Sequence, residues 1–259
     1  MRALDCGHAH DLDHEGTDVN VMEVIREAAG LALVDDDEEP VVLGVAPGIS
    51  AERIEALGAE MGFRLPGELL ELLPQCSGLE GLLETIDFTG QSGGLELDAI
   101  FPRCIPVAHD GYGNYWVLDA SPEGADVAPV FFAGHDAPVI LYQAPSLAAF
   151  LAEVVKMYRP SHDSLVDDVH EDRIFDVWRK NPGTMTVAQA ATGDRVLKDF
   201  AAVLDERFTV VDLRQAAVGM GFSWGRHGPR TELRRHGDAR LFAYAPPTKR
   251  SLWSRLTGR

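Results

Sequence analysis

The order of helical and strand-like segments is the feature that most restricts the fold of this chain. Amphipathic stretches lie between residues 50 and 73, and three short runs rich in aromatic and β-branched residues follow at 114–119, 129–133 and 138–142. A further amphipathic stretch begins at Ser146. Helices grouped before and after a block of strands lack the strand–helix alternation of a parallel sheet. The order therefore predicts an α+β fold with short antiparallel strands.

Local signals predict where these helices begin and end. Ser50 and Ser146 each precede an apolar residue pattern of helical period, where a helix N-cap is expected. The segment "GFRLP" (62–66) breaks the first helix, and a second, short helix is predicted over 67–73. Glycines in "CSGLEGLLE" (76–84) predict a turn.

Beyond Pro160 the pattern predicts a smaller helical and β part. The stretch 164–180 is predicted as a helix, and "NPGTMT" (181–186) as a linker. A helix over 194–204 is followed by predicted strands at 207–214 and 239–245. The residues of the first helix expected to be buried are Val169, Ile174, Phe175 and Trp178.

These signals divide the chain into three parts. Residues 1–45 form an N-terminal extension with one short helix after Asn20, and residues 46–160 form the α+β domain. Residues 161–259 form a basic C-terminal extension, first helical and then β.

The charge of the chain is large and unevenly distributed. The formal net charge is −18, yet residues 1–194 hold 10 Lys and Arg against 35 Asp and Glu, whereas residues 195–259 hold 13 against 6. An acidic surface repels nucleic acid phosphates and attracts a basic protein. The charge therefore favours a basic protein partner, although it could serve solubility alone.

Composition indicates a cytoplasmic protein. No apolar run approaches the roughly 20 residues that span a bilayer, and "MRALDCGHAHDLDHEG" lacks the apolar region of a secretory signal. The cysteines, Cys6, Cys76 and Cys104, are odd in number and widely separated, which argues against a disulfide scaffold. We expect neither a membrane partner nor a disulfide.

Two motifs resemble catalytic or metal sites, and neither has the surroundings that such a site requires. "HAHDLDH" (8–14) contains four possible metal ligands, His8, His10, Asp13 and His14. No apolar strand precedes them, and no further His or Asp positions complete a binuclear metal site. Cys104 could pair with His109, but no helix N-terminus or glycine-rich elbow activates the thiol. We therefore expect no catalytic residue, no physiological metal and no cofactor.

The segment "DGYGN" (110–114) has the residue types of a tight turn. Gly111 and Gly113 permit positive φ angles, and the side chains of Asp110 and Asn114 can bond to the nearby backbone. The following Tyr115 and Trp116 must then point to opposite faces of a strand. One of them is expected to pack in the core.

The segment "FSWGRHG" (222–228) combines aromatic residues with arginine. Trp224 and Arg226 are residue types that often anchor protein interfaces. A hairpin turn is the alternative interpretation of this segment.

Three segments in order resemble the SUKH superfamily, the Smi/Knr-type proteins. They are "ISAERIEALGAEMGFRLPGELLELLPQCSGLEG" (49–81), "FPRCIPVAHDGYGNYWVLDA" (101–120) and "PVFFAGHDAPVILYQAPSLAAFLAEVV" (129–155). Together with their flanks, the resemblance covers residues 46–158. It implies an α+β fold with a twisted, mostly antiparallel sheet flanked by helices.

The resemblance also implies a function. Bacterial members of the superfamily are immunity proteins that bind and neutralise polymorphic toxins, often nucleases or deaminases, and they are not known for catalysis. Carried over by position, it puts recognition loops at 110–114 and at His135 and Asp136. With the residues singled out above, the predicted partner-binding residues are Asp110, Tyr112, Asn114, Trp116, His135, Asp136, Trp224 and Arg226.

Two other functions stay open. One is a regulatory or scaffolding module of Smi/Knr type, and the other is a metal-dependent hydrolase that uses the N-terminal histidines. The leading hypothesis is a non-enzymatic immunity protein with a basic toxin domain as its partner.

Overall fold

The computed structural model describes residues 20–91, 97–121 and 124–248. Its helices are α1 (Val21–Ala28), α2 (Ala51–Met61), α3 (Gly67–Leu72), α4 (Leu147–Met157), α5 (Leu165–Asp167), α6 (Ile174–Lys180), α7 (Val187–Ala190) and α8 (Arg195–Ala201). A π-helical segment, Asp168–Arg173, joins α5 to α6. Its strands are β1 (Leu33–Val34), β2 (Pro40–Val41), β3 (Gly44–Pro47), β4 (Cys76–Glu80), β5 (Thr85–Asp87), β6 (Cys104–His109), β7 (Tyr115–Asp119), β8 (Val130–Ala133), β9 (Ile140–Ala144), β10 (Thr184–Thr186), β11 (Thr209–Asp212), β12 (Gly221–Phe222), β13 (Glu232–Arg235) and β14 (Leu241–Ala245).

The strands form a large sheet, a small sheet and a two-stranded ribbon. The large sheet has the order β12-β9-β8-β7-β6-β5-β4-β3, the small sheet has the order β10-β11-β14-β13, and β1 pairs with β2. Within the described residues every strand pairing is antiparallel. The α+β fold predicted from the sequence is confirmed.

The predicted helix starts are confirmed by the caps. The Ser50 hydroxyl accepts a hydrogen bond from the Arg53 N–H at the start of α2, and Gly62 ends that helix with φ of 74°. The Ser146 hydroxyl accepts from the Ala149 N–H at the start of α4. Each cap satisfies a backbone N–H that has no partner inside the helix.

Both faces of the large sheet are buried, which gives the molecule four layers. One face packs against α1 to α4 and the 165–180 helix in the largest apolar core. The other face packs against the small sheet, whose own far face is covered by α7 and α8. The layers are therefore helices, large sheet, small sheet and helices.

Side-chain alternation along the strands explains this double burial. On β7, Trp116 faces the helices while Val117 faces the small sheet. On β8, Phe132 faces the helices and Phe131 faces the small sheet. Since successive side chains of a strand point to opposite faces, an uninterrupted apolar run requires a cover on each face.

A buried ion pair joins the two sheets. The Arg235 guanidinium on β13 donates to both carboxylate oxygens of Asp119 on β7, at 2.7 and 2.8 Å. The two side chains are only 6% and 4% exposed. Arg235 also donates to the Ile100 carbonyl at 2.8 Å and lies over the Phe242 ring. This contact ties the basic C-terminal part to the acidic domain.

Three local predictions were wrong. The segment 76–84, predicted as a turn, begins with strand β4, and the predicted linker 181–186 contains strand β10. Both are short strands that depend on pairing with β3, β5 and β11 rather than on a local pattern.

The third error concerns the 164–180 helix. Val169 and Ile174 are buried as predicted, but Phe175 and Trp178 are 45% and 40% exposed. The π-helical segment places the buried Val169 and Ile174 five positions apart, and the next buried residue is Val177. The wider turn rotates the apolar face by one position, because a π-helix bonds i to i+5.

The division of the chain at residues 45 and 160 stays a prediction. Strand β12 of the C-terminal part pairs with β9 and extends the large sheet, so the two parts share a sheet as well as a core. Among the described residues, no helix is long and apolar enough to cross a membrane. The cytoplasmic location expected from the sequence also stays a prediction.

Candidate partner-binding groove

The turn between β6 and β7 is held by the Asp110 carboxylate. One of its oxygens accepts hydrogen bonds from the Tyr112 N–H at 2.9 Å and from the Asn114 N–H at 3.2 Å. Gly111 and Gly113 have φ angles of 78° and 89°, which non-glycine residues rarely adopt. Burial of Asp110 opposes its charge, but hydrogen bonds from Asn114, Tyr112 and His170 outweigh that effect and lower the pKa of the carboxyl.

This turn is linked to the loop between β8 and β9. The side-chain oxygen of Asn114 accepts a hydrogen bond from the His135 N–H at 2.9 Å. His135 in turn contacts the Asp136 carboxylate at 3.0 Å, and the two side chains are 70% and 92% exposed. The two loops therefore form one surface with an open, polar rim.

The C-terminal part supplies the opposite wall through residues 223–229. The Trp224 indole N–H donates to the Gly134 carbonyl at 3.2 Å, and the Ser223 hydroxyl donates to the Pro138 carbonyl at 3.1 Å. A Cβ atom on Gly225 would lie 2.6 Å from the Pro138 ring. Only glycine permits this approach, which sets the position of the Trp224 indole.

These three segments enclose a groove of about 620 Å³. Its volume falls within the range typical of ligand and peptide sites. The residues that line it are Leu97, Gly113, Tyr115, Ala133, Gly134, His135, Asp136, Pro138, Trp224, Gly225, Gly228 and Pro229. We call this feature the β7–β8 groove.

Comparison with known families gives one match. Residues 48–153 match the sequence model of the SMI1 / KNR4 family (SUKH-1). This part of the chain is similar to SUKH-1 domains. The resemblance predicted from the three sequence segments is thereby confirmed, and SUKH-1 proteins are commonly immunity proteins and generally non-enzymatic binding domains. No curated protein and no solved structure matches the chain.

The SUKH-1 match covers less than half of the chain and only part of the groove. It includes the 110–116 and 133–138 segments but not residues 224–229. The β7–β8 groove therefore combines the region that matches the SUKH-1 model with a C-terminal wall that lies outside the match.

The structure brings five of the predicted binding residues together at the groove. His135, Asp136 and Trp224 line it, while Asp110 and Asn114 shape the adjoining turn. Tyr112, 83% exposed, is part of that turn. These positions stay predictions as partner contacts.

Two further predicted binding residues make contacts within the protein, and their part in partner binding stays a prediction. Trp116 is 1% exposed, and its indole N–H donates to the Gln143 side chain at 3.2 Å. It belongs to the core, because alternation on β7 turns it toward the helices and leaves Tyr115 to line the groove. Arg226 donates to the Trp178 carbonyl at 2.6 Å and so caps the end of α6, where carbonyls lack helical partners.

Sequence reasoning missed the residues that complete the groove. Tyr115, Pro138 and Pro229 line it, and none of them was predicted as a binding residue. Tyr115 could have been found by the alternation rule once Trp116 was assigned to the core. The two prolines carry no comparable signal, because their contribution depends on how the C-terminal part packs.

A nucleophile–base pair does not form in strand β6. Cys104 and His109 lie at opposite ends of that strand, so their backbones are roughly 17 Å apart. Burial, with nearby Asp98 and Asp119, raises the pKa of the Cys104 thiol to about 11. Among residues 20–91, 97–121 and 124–248 no cluster of His, Cys, Asp and Glu could hold a metal. His8, His10, Asp13 and His14 lie outside the described residues.

Proposed function

We propose that this protein is a non-enzymatic immunity protein that binds and neutralises a toxin domain at the β7–β8 groove. The observation that carries the proposal is the convergence at one open groove of two SUKH-1 loops and residues 223–229. Membership of the domain in a family of commonly immunity proteins supports the choice of partner.

Electrostatics support a basic partner. The net charge of −18 steers a positively charged protein toward the surface and raises its association rate at low salt. A nuclease or deaminase domain has a cationic surface for nucleic acid phosphates. Carboxylates such as Asp136, which is 92% exposed, can take the place of those phosphates and block the toxin.

The groove alone is too small for a tight complex. Stable protein–protein interfaces bury about 1,600 Å² in total, so the contact must extend over the rim that Tyr112 and His135 form. Interface energy concentrates in a few aromatic and arginine residues. Tyr112, which is 83% exposed on the 110–114 turn, is therefore the side chain of the rim whose loss should weaken binding most.

The first experiment is affinity capture from the native host at rising salt, with mass spectrometry of the eluted proteins. A captured basic protein is then purified, and its toxicity is measured with and without this chain. We expect neutralisation at equimolar ratio and release at high salt. Capture of housekeeping proteins alone, with no neutralised toxin, would contradict the proposal and favour the regulatory Smi/Knr-type function.

A pair of variants tests whether the rim is the binding surface. Tyr112→Ala should weaken toxin binding by at least about tenfold, the cost typical of an exposed aromatic hot spot. Val203→Ala is the matched control, because Val203 is 76% exposed but does not line the groove. Equal affinities for the two variants would place the binding surface elsewhere.

A further inference from the structure

The walls of the β7–β8 groove are aromatic and held in place. The Trp224 indole N–H is already bonded to the Gly134 carbonyl, which fixes the plane of its ring. Tyr115 packs edge-to-face against His109 with the ring centroids 5.9 Å apart. Both rings line the groove, so an occupant would meet two aromatic side chains.

Glycines form a third of the groove lining. Gly113, Gly134, Gly225 and Gly228 all line the groove, and none of them projects a side chain into it. A lining of this kind lets another polypeptide backbone approach closely. Aromatic-lined grooves are a common docking site for extended segments.

The rim adds a negative charge that is open to a partner. Asp136 is 92% exposed, and in the part of the chain that the structure describes its ion-pair contact is to His135. Two arginines of the C-terminal part are bonded away from it: Arg235 to Asp119, and Arg226 to the carbonyl at the end of α6. The Asp136 carboxylate is therefore available to an incoming cation.

We propose that the groove binds an arginine side chain of the partner, carried on an extended segment. The guanidinium would lie against the Tyr115 and Trp224 rings and donate to the Asp136 carboxylate. A planar guanidinium suits this setting better than an ammonium, because it stacks on aromatic faces and donates two parallel hydrogen bonds to a carboxylate. This inference rests on the proposed function, of which it specifies the partner chemistry.

The probe is the blocked tripeptide acetyl-Gly-Arg-Gly-amide, titrated into the full chain and followed by NMR. Its matched control is the same peptide with citrulline, which keeps the shape of arginine but has no charge. We expect saturable shifts of the Trp224 indole N–H and of the amides of Gly113 and Gly134. The citrulline peptide should bind about tenfold more weakly, which corresponds to the loss of one cation–π and charge contact.

Two variants keep the test independent of folding. Asp136→Asn changes one exposed side chain, so the fold should be unaffected. It should reduce the preference for arginine over citrulline to what the contact with the two rings alone supplies. Glu55→Gln is the control, because Glu55 is an exposed carboxylate on α2 that does not line the groove. It should leave the preference intact.

Two results would overturn the inference: equal affinities for the arginine and citrulline peptides, or shifts confined to the acidic loop 35–39. Its failure is separable from failure of the proposed function. If a toxin is neutralised but its affinity is unchanged by Asp136→Asn, the arginine site is wrong and the immunity function stands. If the arginine peptide binds at the groove but no toxin is neutralised, the arginine site stands and the immunity function is wrong.

Discussion

The ion pair between Asp119 and Arg235 gives the sharpest test of how the two parts of the chain are joined. Asp119→Asn keeps the size of the side chain and removes its charge, which leaves the guanidinium buried beside a neutral group. The guanidinium still donates to the carbonyls of Ile100, Ala239 and Asp238, so part of its hydrogen bonding survives. We expect the change to lower the free energy of unfolding by about 3 kcal/mol, at the lower end of the cost of breaking a buried pair.

Urea denaturation followed by tryptophan fluorescence measures this loss. With a slope of about 3 kcal/mol per molar urea for a chain of this size, the midpoint should fall by about 1 M. Asp176→Asn is the control, because Asp176 and Lys180 form an ion pair whose side chains are 49% and 71% exposed, respectively. Exposed pairs of this kind contribute little, so its midpoint should barely change.

A double variant separates the charge from the contact. Asp119→Leu combined with Arg235→Met replaces the pair by apolar side chains and should recover most of the lost stability, since buried ion pairs are often no better than apolar packing. If Asp119→Asn shifted the midpoint no more than Asp176→Asn, the reasoning that Asp119 compensates a buried charge would be refuted.

Three further predictions concern titration, packing and reactivity. Burial, with Glu171 and Asp36 nearby, raises the pKa of Asp167 to about 6. Between about pH 4 and pH 6 the folded state therefore keeps a proton that the unfolded state loses. The free energy of unfolding should fall as the pH rises through this range. Asp167→Asn should remove that fall and, after allowance for solvent screening, stabilise the protein by about 1 kcal/mol at pH 7, measured as urea midpoints at pH 5 and 7. A Cβ atom on Gly221 would lie 1.9 Å from the Ile140 carbonyl oxygen, whereas one on Gly58 has open space to 3.6 Å. Gly221→Ala should therefore lower the free energy of unfolding by about 2 kcal/mol or more. Gly58→Ala inside α2 should raise it by about 0.5–1 kcal/mol. Equal thermal unfolding temperatures for the two variants would contradict this. The Cys104 thiol, with a pKa of about 11, should react with iodoacetamide at pH 8 about two orders of magnitude more slowly than an unperturbed thiol, and mass spectrometry of the alkylated native protein measures that rate.

Features that depend on neighbouring residues were predictable from the sequence. Ser50 and Ser146 gave the starts of α2 and α4, because a cap is a contact within one turn of helix. The turn at 110–114 followed from its own Asp, Asn and glycines. The order of these local elements was sufficient to predict the α+β class, and the residues of three segments gave the resemblance to the SUKH superfamily.

Features that depend on distant pairing were not predictable in the same way. Strand β10 has no distinctive pattern and exists because β11 offers it a partner. The π-helical segment displaced Phe175 and Trp178 from the core, and no residue in 168–173 marks such a turn. The groove was only partly predicted, because its Trp224 wall depends on how the C-terminal part packs on the SUKH-1 domain.

The runs "VFFA" (130–133) and "ILYQA" (140–144) did contain an unused signal. Strands of a sheet with one exposed face alternate apolar and polar residues, and neither run does. Their composition indicates burial on both faces and hence a second covering layer. That layer is the small sheet.

The double burial of the large sheet has a consequence for synthesis of the chain. Phe131, Ile140 and Tyr142 face strands β11 and β14, and the second of these strands ends about a hundred residues later in the chain. At translation rates of about 5–20 residues per second, these side chains lack their cover for roughly 5–20 seconds after they are made. During that interval the nascent chain presents an apolar sheet face to the ribosome exit region, and we expect it to need chaperone protection there until residue 245 has emerged.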